Sequence, residues 1–166
     1  MKKLVLFLWL ASAACAGPPS WDAFQFLVGE WEGTGTGKPG EGAGGFAFSL
    51  DLERHVLVRR NHAEYPAQGG RPAAHHEDLM VVDQRPGGPH ATYWDNEGHA
   101  IDYAVTAAAD RWIFVSPAVS GAPRFRLTYT RADADHLQLR FEIAPPGKPD
   151  VFSTYIEAGA RRRFGK

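Results

Sequence analysis

Cysteine is almost absent from this chain: Cys15 is the single one among 166 residues. That excludes an intramolecular disulfide framework and any zinc site built on cysteine pairs. A charge surplus is missing too, with 18 Lys+Arg against 19 Asp+Glu and a formal net charge of −1. Nucleic-acid proteins usually carry a basic excess, so a nucleic-acid role is disfavoured. No apolar run approaches the roughly 20 residues of a membrane-spanning helix. Nor is there a G-x-S-x-G or an H-E-x-x-H, so neither an activated serine nor a helical zinc site is signalled. What the chain does hold in quantity is Gly 18, Pro 12 and 12% aromatic residues. That balance points to many short strands joined by turns, in one globular domain.

The longest apolar run, Leu4 to Ala14, follows Lys2 and Lys3 and gives way to small residues and Gly17-Pro18-Pro19. A positive start, a short apolar stretch and a small-residue exit predict a secretory signal peptide over residues 1–16, with the domain in residues 17–166. Ala14-Cys15-Ala16 fits cleavage before Gly17. The rival reading is that Ser12-Ala13-Ala14-Cys15, which resembles a bacterial lipoprotein site, is lipidated on Cys15. A lipid anchor would then be the only link to a membrane. Either way the domain is expected outside the cytoplasm, periplasmic or secreted. Loss of the leader removes two basic and no acidic side chains, leaving a net charge of −3.

Ser20 is placed to cap a short helix over Trp21–Leu27, and Gly29 ends it. Beyond it the pattern has period two. Phe46, Phe48, Leu50 and Leu52 alternate with polar or small residues, and Leu137, Leu139, Phe141 and Ile143 alternate with Gln138, Arg140 and Glu142. Such strands bury one face and solvate the other, the habit of antiparallel sheets. Further strands are predicted near 30–37, 55–64, 77–84, 90–95, 99–108, 111–116, 124–131 and 151–160. Asp95-Asn96-Glu97-Gly98, Arg85–Pro89 and Pro145-Pro146-Gly147 separate them as turns. The fold class is all-β: about ten antiparallel strands closed up-and-down as a barrel, with a short N-terminal helix.

Phe26-Leu27-Val28-Gly29-Glu30-Trp31-Glu32-Gly33-Thr34-Gly35 carries a family resemblance. A short helix entering G-x-W on the first strand resembles the opening of the calycins, the lipocalin and fatty-acid-binding-protein group. The longer stretch LVGEWEGTGTG is most similar to nitrobindins and related bacterial lipocalin-like domains. The resemblance implies that Trp31 plugs one end of the barrel under an arginine from the last strand. That strand ends Arg161-Arg162-Arg163, and if Phe152, Ile156, Ala158 and Ala160 face inward, Arg162 shares their face. It also implies a small, partly apolar ligand held in the interior.

Nitrobindins bind haem through an inward histidine near the C-terminus, and Asp135-His136-Leu137 resembles that segment. However, His136 shares the solvated face of Gln138, Arg140 and Glu142, a strand follows it, and Phe152–Arg163 contains no histidine. Haem is therefore disfavoured and no cofactor is predicted. His62, His76 and Asp78 offer three metal donors without a supporting spacing, so no metal site is assigned. Gly35-Thr36-Gly37-Lys38-Pro39-Gly40 satisfies G-x-G-x-x-G but leads into no helix, and a phosphate cradle needs one.

The remaining anomaly is His55–Tyr65, which begins apolar and turns polar. One parity sends Arg60, His62 and Glu64 inward; the other sends Arg59, Asn61 and Ala63. Buried charge needs a partner, and Asp78, on the face of Met80 and Val82, can supply it. The predicted ligand contacts are therefore Arg60 or His62 for a polar head, Asp78 as partner, and Met80, Trp94 and Tyr103 as apolar wall. No catalytic set emerges. Three readings follow: a ligand-binding barrel, a nitrobindin-like haem protein acting on reactive nitrogen species, and a structural envelope module whose loops 38–45 and 66–74 contact a partner.

Overall fold

The computed structural model describes residues 19–34, 42–70 and 72–164. The expected signal peptide, Cys15 and the Gly35–Gly40 motif lie outside these. Ten strands follow a short 3₁₀ turn at Asp22–Phe24: β1 Gly29–Gly33, β2 Ala43–Asp51, β3 Val56–Tyr65, β4 Ala74–Arg85, β5 Gly88–Asp95, β6 Ala100–Ala107, β7 Arg111–Val115, β8 Arg124–Arg131, β9 His136–Ala144 and β10 Ser153–Arg163. Each pairs antiparallel with its sequence neighbours, and β1 pairs with β10 to close the barrel. Closure removes most of the sheet edge, although Ser153–Ala158 of β10 have no partner on the β1 side among the described residues. A closed ten-stranded antiparallel barrel is consistent with the broad calycin architecture.

The expected helix over Trp21–Leu27 is instead the three-residue 3₁₀ turn, continued by Leu27 N–H to Phe24 O at 2.8 Å and Val28 N–H to Gln25 O at 3.3 Å. The reason is spacing. Trp21, Phe24 and Leu27 recur every third residue and are 1%, 1% and 0% exposed. A three-residue period lines up on a 3₁₀ turn but drifts around an α-helix.

This segment plugs one end of the barrel, and buried donors of the wall hold its carbonyls. Trp31 Nε1–H donates to Leu27 O at 2.9 Å and Trp112 Nε1–H to Ala23 O at 2.6 Å. Arg162 donates to Val28 O at 2.8 Å and Phe26 O at 2.7 Å. Its guanidinium lies 4.3 Å from the Trp31 ring centre, across the Trp31–Arg162 register pair of β1 and β10. Burial lowers the Arg162 pKa. Trp21 Nε1–H reaches Arg54 O at 2.7 Å in the β2–β3 turn. There Leu52, Glu53 and Arg54 all have positive φ (48°, 55° and 69°), a conformation costing about 1–2 kcal/mol per residue.

One expected parity fails. A bulge between Thr154 and Ile156 of β10 inserts Tyr155, so Phe152 does not share the inward face of Ile156, Ala158 and Arg162. Phe152 packs under Arg126, 4.2 Å from ring centre to guanidinium.

Candidate functional site

The two ends of the barrel interior differ. Toward the plug, Leu57, Val82, Ala91, Tyr103, Trp112, Phe114 and Tyr129 are at most 2% exposed. Phe46 and Phe48 of β2 reach across to Tyr129 of β8 with ring centres 5.4 and 5.6 Å apart, and Phe114 meets the same ring at 6.1 Å. At this level the barrel is filled by its own side chains.

Toward the other end most inward side chains are only half-buried, Asp78 being a buried exception, and they divide into two walls. On β8–β10 the wall is apolar: Phe125, Leu139, Phe141, Ile143 and Ile156. Phe125 and Phe141 stack at 6.0 Å. On β3–β5 it is polar: Asn61, His76, Asp78, Tyr93 and Asp95. This end of the interior, apolar on one side and polar on the other above an aromatic floor, is hereafter called the cup.

Arg59 anchors the polar wall. It is 5% exposed, lies 5.4 Å from the Phe46 ring centre, and donates Nη1–H to Asp78 Oδ1. Asn61 Nδ2–H donates to Asp78 Oδ2 at 2.9 Å, and His76 Nε2 lies 3.3 Å from the same oxygen. Tyr93 stands between, its hydroxyl 3.3 Å from His76 Nε2 and donating to Asp95 Oδ2 at 3.1 Å. His76 Nδ1 meets Glu97 Oε1 at 3.1 Å, and His99 Nδ1 meets Asp95 Oδ2 at 2.8 Å. The Asp95–Gly98 turn presents these groups, closed by Gly98 N–H to Asp95 O at 3.2 Å with Gly98 at φ 91°.

Burial pushes the Asp78 carboxyl up, but the Arg59 charge and the bonds from His76 and Asn61 hold it below the ordinary carboxylate range. The bond to Asp78, reinforced by Glu97 and opposed by burial, raises His76. Burial opposes the Arg59 charge, yet Asp78 keeps its pKa raised. Tyr93 is held strongly protonated by burial and by the Asp78 and Asp95 charges. Burial pushes the Tyr129 hydroxyl up to about 12. Two buried polar atoms beneath the cup, Arg59 Nε and Tyr129 Oη, have no hydrogen-bond partner among the described residues. Buried polar groups are nearly always partnered, so these two give the aromatic floor an unsatisfied polar spot.

The structure sorts the residues picked from sequence. Asp78, Met80 and Tyr103 face the interior, Met80 and Tyr103 within the sealed half at 0% and 2% exposure. Arg60 and His62 point outward, which corrects the parity chosen for β3. Leu57 takes the inward face opposite Val82, so Arg59 opposes Met80 and Asn61 opposes Asp78. Trp94 is also outward, 43% exposed, because Ala91, Tyr93 and Asp95 take the inner face of β5. His62 therefore cannot join His76 and Asp78 around one ion, and no metal-holding cluster occurs among the described residues. His136 faces out and bonds Asp133 through Nδ1 at 2.9 Å.

Sequence reasoning missed Arg59 as the interior cation, and with it Asn61, Tyr93, Asp95 and Tyr129. The available signal was Asp78 itself. A carboxylate on the Met80–Val82 face demands a cation opposite, and Arg59 was one of two candidates. Comparison with protein-family models and with curated proteins finds no match to either.

Proposed function

We propose that the protein is a carrier or receptor for a small amphipathic molecule, which enters the half-buried end of the barrel. The observation that carries this reading is the division of that end into an apolar wall and a polar wall over a sealed floor. The ligand's apolar side packs against Phe125, Leu139, Phe141 and Ile143. Its polar or anionic head turns toward Asn61, His76 and Tyr93, within reach of Arg59. Pockets of this kind join predominantly apolar lining with a few placed polar groups. The floor limits the ligand to a compact molecule, since the aromatic contacts around Tyr129 close off the deeper half. The Lys2-Lys3 start and the apolar run after it support an exported protein that meets its ligand outside the cytoplasm.

The sealed half favours a second reading, a structural envelope module stabilised by its own packed interior. One experiment separates the two. Titration with 1-anilinonaphthalene-8-sulfonate, an apolar ring system with an anionic head, is expected to saturate at one probe per protein. Leu139→Trp, which fills the cup, is expected to abolish that binding and leave the circular dichroism spectrum intact. Absence of saturable binding, or binding indifferent to Leu139→Trp, would overturn the carrier reading. Native mass spectrometry of protein taken from its own cells then weighs the natural occupant.

A further inference from the structure

Three consecutive arginines end β10, and two of them are neutralised on the outer surface. Arg161 pairs with Glu32 at 3.4 Å and Arg163 with Glu30 at 3.9 Å. Arg162, between them, turns onto the plug and makes no ion pair among the described residues. The same holds for Arg131, the last residue of β8. Both are drawn to one ring. The Phe26 ring centre lies 4.2 Å from the Arg131 guanidinium carbon and 5.1 Å from that of Arg162. Phe26 in turn stacks on Trp112 at 5.7 Å, with the planes 6° apart.

Backbone oxygens aim each guanidinium. Arg162 gives Nη1 to Val28 O and Nη2 to Phe26 O, and Arg131 donates Nε–H to Asp133 O at 3.2 Å. Both Nη groups of Arg131 are left without a partner among the described residues. Like charges held this close repel. Burial and the Arg131 charge lower the Arg162 pKa, and Asp135 opposes them from beyond ion-pair distance. In front of the pair lies a recess of about 620 Å³, lined also by Gln25 and by Ala107, Ala108 and Ala109 of the β6–β7 turn. It opens at the plug end and shares no residue with the cup. Asp22 is its only carboxylate and accepts from Ser20 Oγ at 2.9 Å. Asp133 is turned onto its own turn, accepting the backbone N–H groups of Asp135 and His136, each at 2.9 Å.

We propose that this recess binds a single phosphate group, held between the Nη groups of Arg131 and the remaining N–H groups of Arg162. A guanidinium fork matches phosphate oxygens in shape as well as in charge. Two adjacent cations beside one engaged carboxylate call for a dianion, and a phosphate monoester carries about −1.5 to −2 at pH 7. A monovalent carboxylate or sulfonate leaves one of the two charges unanswered. An extended polyanion is selected against, because Asp110, Asp133 and Asp135 on the two flanking turns would meet its further charges. Inorganic phosphate and the headgroup of a phosphatidic acid share the chemistry that remains.

The test uses the whole protein, titrated calorimetrically with inorganic phosphate at fixed ionic strength and sedimented with phosphatidylcholine vesicles made with and without phosphatidic acid. One phosphate per chain is expected to bind saturably, and the thermal midpoint is expected to rise with phosphate concentration. Arg131 is exposed, so its replacement leaves the barrel folded. Arg131→Gln is expected to weaken binding by about tenfold or more, the loss of charge-assisted hydrogen bonds, and to erase the rise in midpoint. Arg131→Lys keeps the charge without the fork and loses less. Arg163→Gln removes a paired arginine and leaves binding unchanged. Capture by the acidic vesicles alone, lost in Arg131→Gln, assigns the phosphate to a lipid. Equal behaviour of the two vesicles beside saturable inorganic phosphate assigns a soluble one. Saturation by neither source overturns the proposal, and so does binding that survives Arg131→Gln. Arg131 lies at the opposite end from the cup, so binding of the anionic naphthalene probe is expected to be unchanged in that variant.

Discussion

Along one and the same set of strands, the inward residues near the plug are sealed, while those near the other end are half-open. Apart from the β10 bulge the alternation is continuous, so secondary structure does not make the difference. The plug does. Trp21, Phe24 and Leu27 cap the lower half, and four wall donors hold the cap's carbonyls. The upper half has no such cap among the described residues. Stability is thereby concentrated at one end, and at the other Asn61, His76 and Tyr93 stay half-exposed above the buried Arg59. The price of that arrangement is a buried ion pair at the boundary, Arg59–Asp78.

The largest expected effects lie at that boundary and below it. Asp78→Ala leaves Arg59 buried and uncompensated, and is expected to cost about 3–5 kcal/mol in urea denaturation. A loss below about 1 kcal/mol would mean that water reaches the pair and that the boundary is misplaced. Phe114→Ala in the sealed half should cost about as much, roughly 3–5 kcal/mol, through lost burial and the cavity left behind. The same truncation at Phe141, half-exposed in the cup, is expected to cost about half that, because less area leaves water. Equal losses at the two positions would erase the distinction between the halves.

A smaller effect concerns pH. Asp78 is depressed in the folded state, so its contribution is present above an unfolded carboxyl value of about 3.9 and fades as pH falls through the lower folded value. His76 is raised, so its contribution is full below about 6.5 and is lost as pH rises through the higher folded value. The cluster is therefore most stabilising between about pH 4 and 6.5. His76→Gln is expected to flatten the alkaline flank of the stability profile and to move the acid flank only slightly, because Arg59 and Asn61 still hold Asp78. An unchanged alkaline flank would remove His76 from the polar wall. Smallest of all, Arg140→Ala breaks an exposed pair on the outer surface and should shift stability by less than about 1 kcal/mol.

Much of this plan was legible in the sequence, and the parts that were not share a cause. Period-two alternation located ten strands, and the G-x-W stretch with the terminal arginines pointed to Trp31 beside Arg162. Facing was harder. Leu57 and Val58 are both apolar, so the start of β3 offers two parities, and only the register against Met80 and Val82 decides between them. On β5 the inward position near the core is taken by Ala91, too small to announce itself, while the conspicuous Trp94 lies outside. On β10 a single extra residue, Tyr155, changes the parity that had placed Phe152 inward. In each case the deciding information is held by a neighbouring strand.

The division of the interior is tested most directly by locating a bound probe. With methyl-labelled protein and 1-anilinonaphthalene-8-sulfonate at saturation, intermolecular nuclear Overhauser contacts are expected to the methyl groups of Leu139, Ile143 and Ile156. None is expected to Leu57, Met80 or Val82. Contacts to the second set, or a probe found only on the outer surface, would contradict the account.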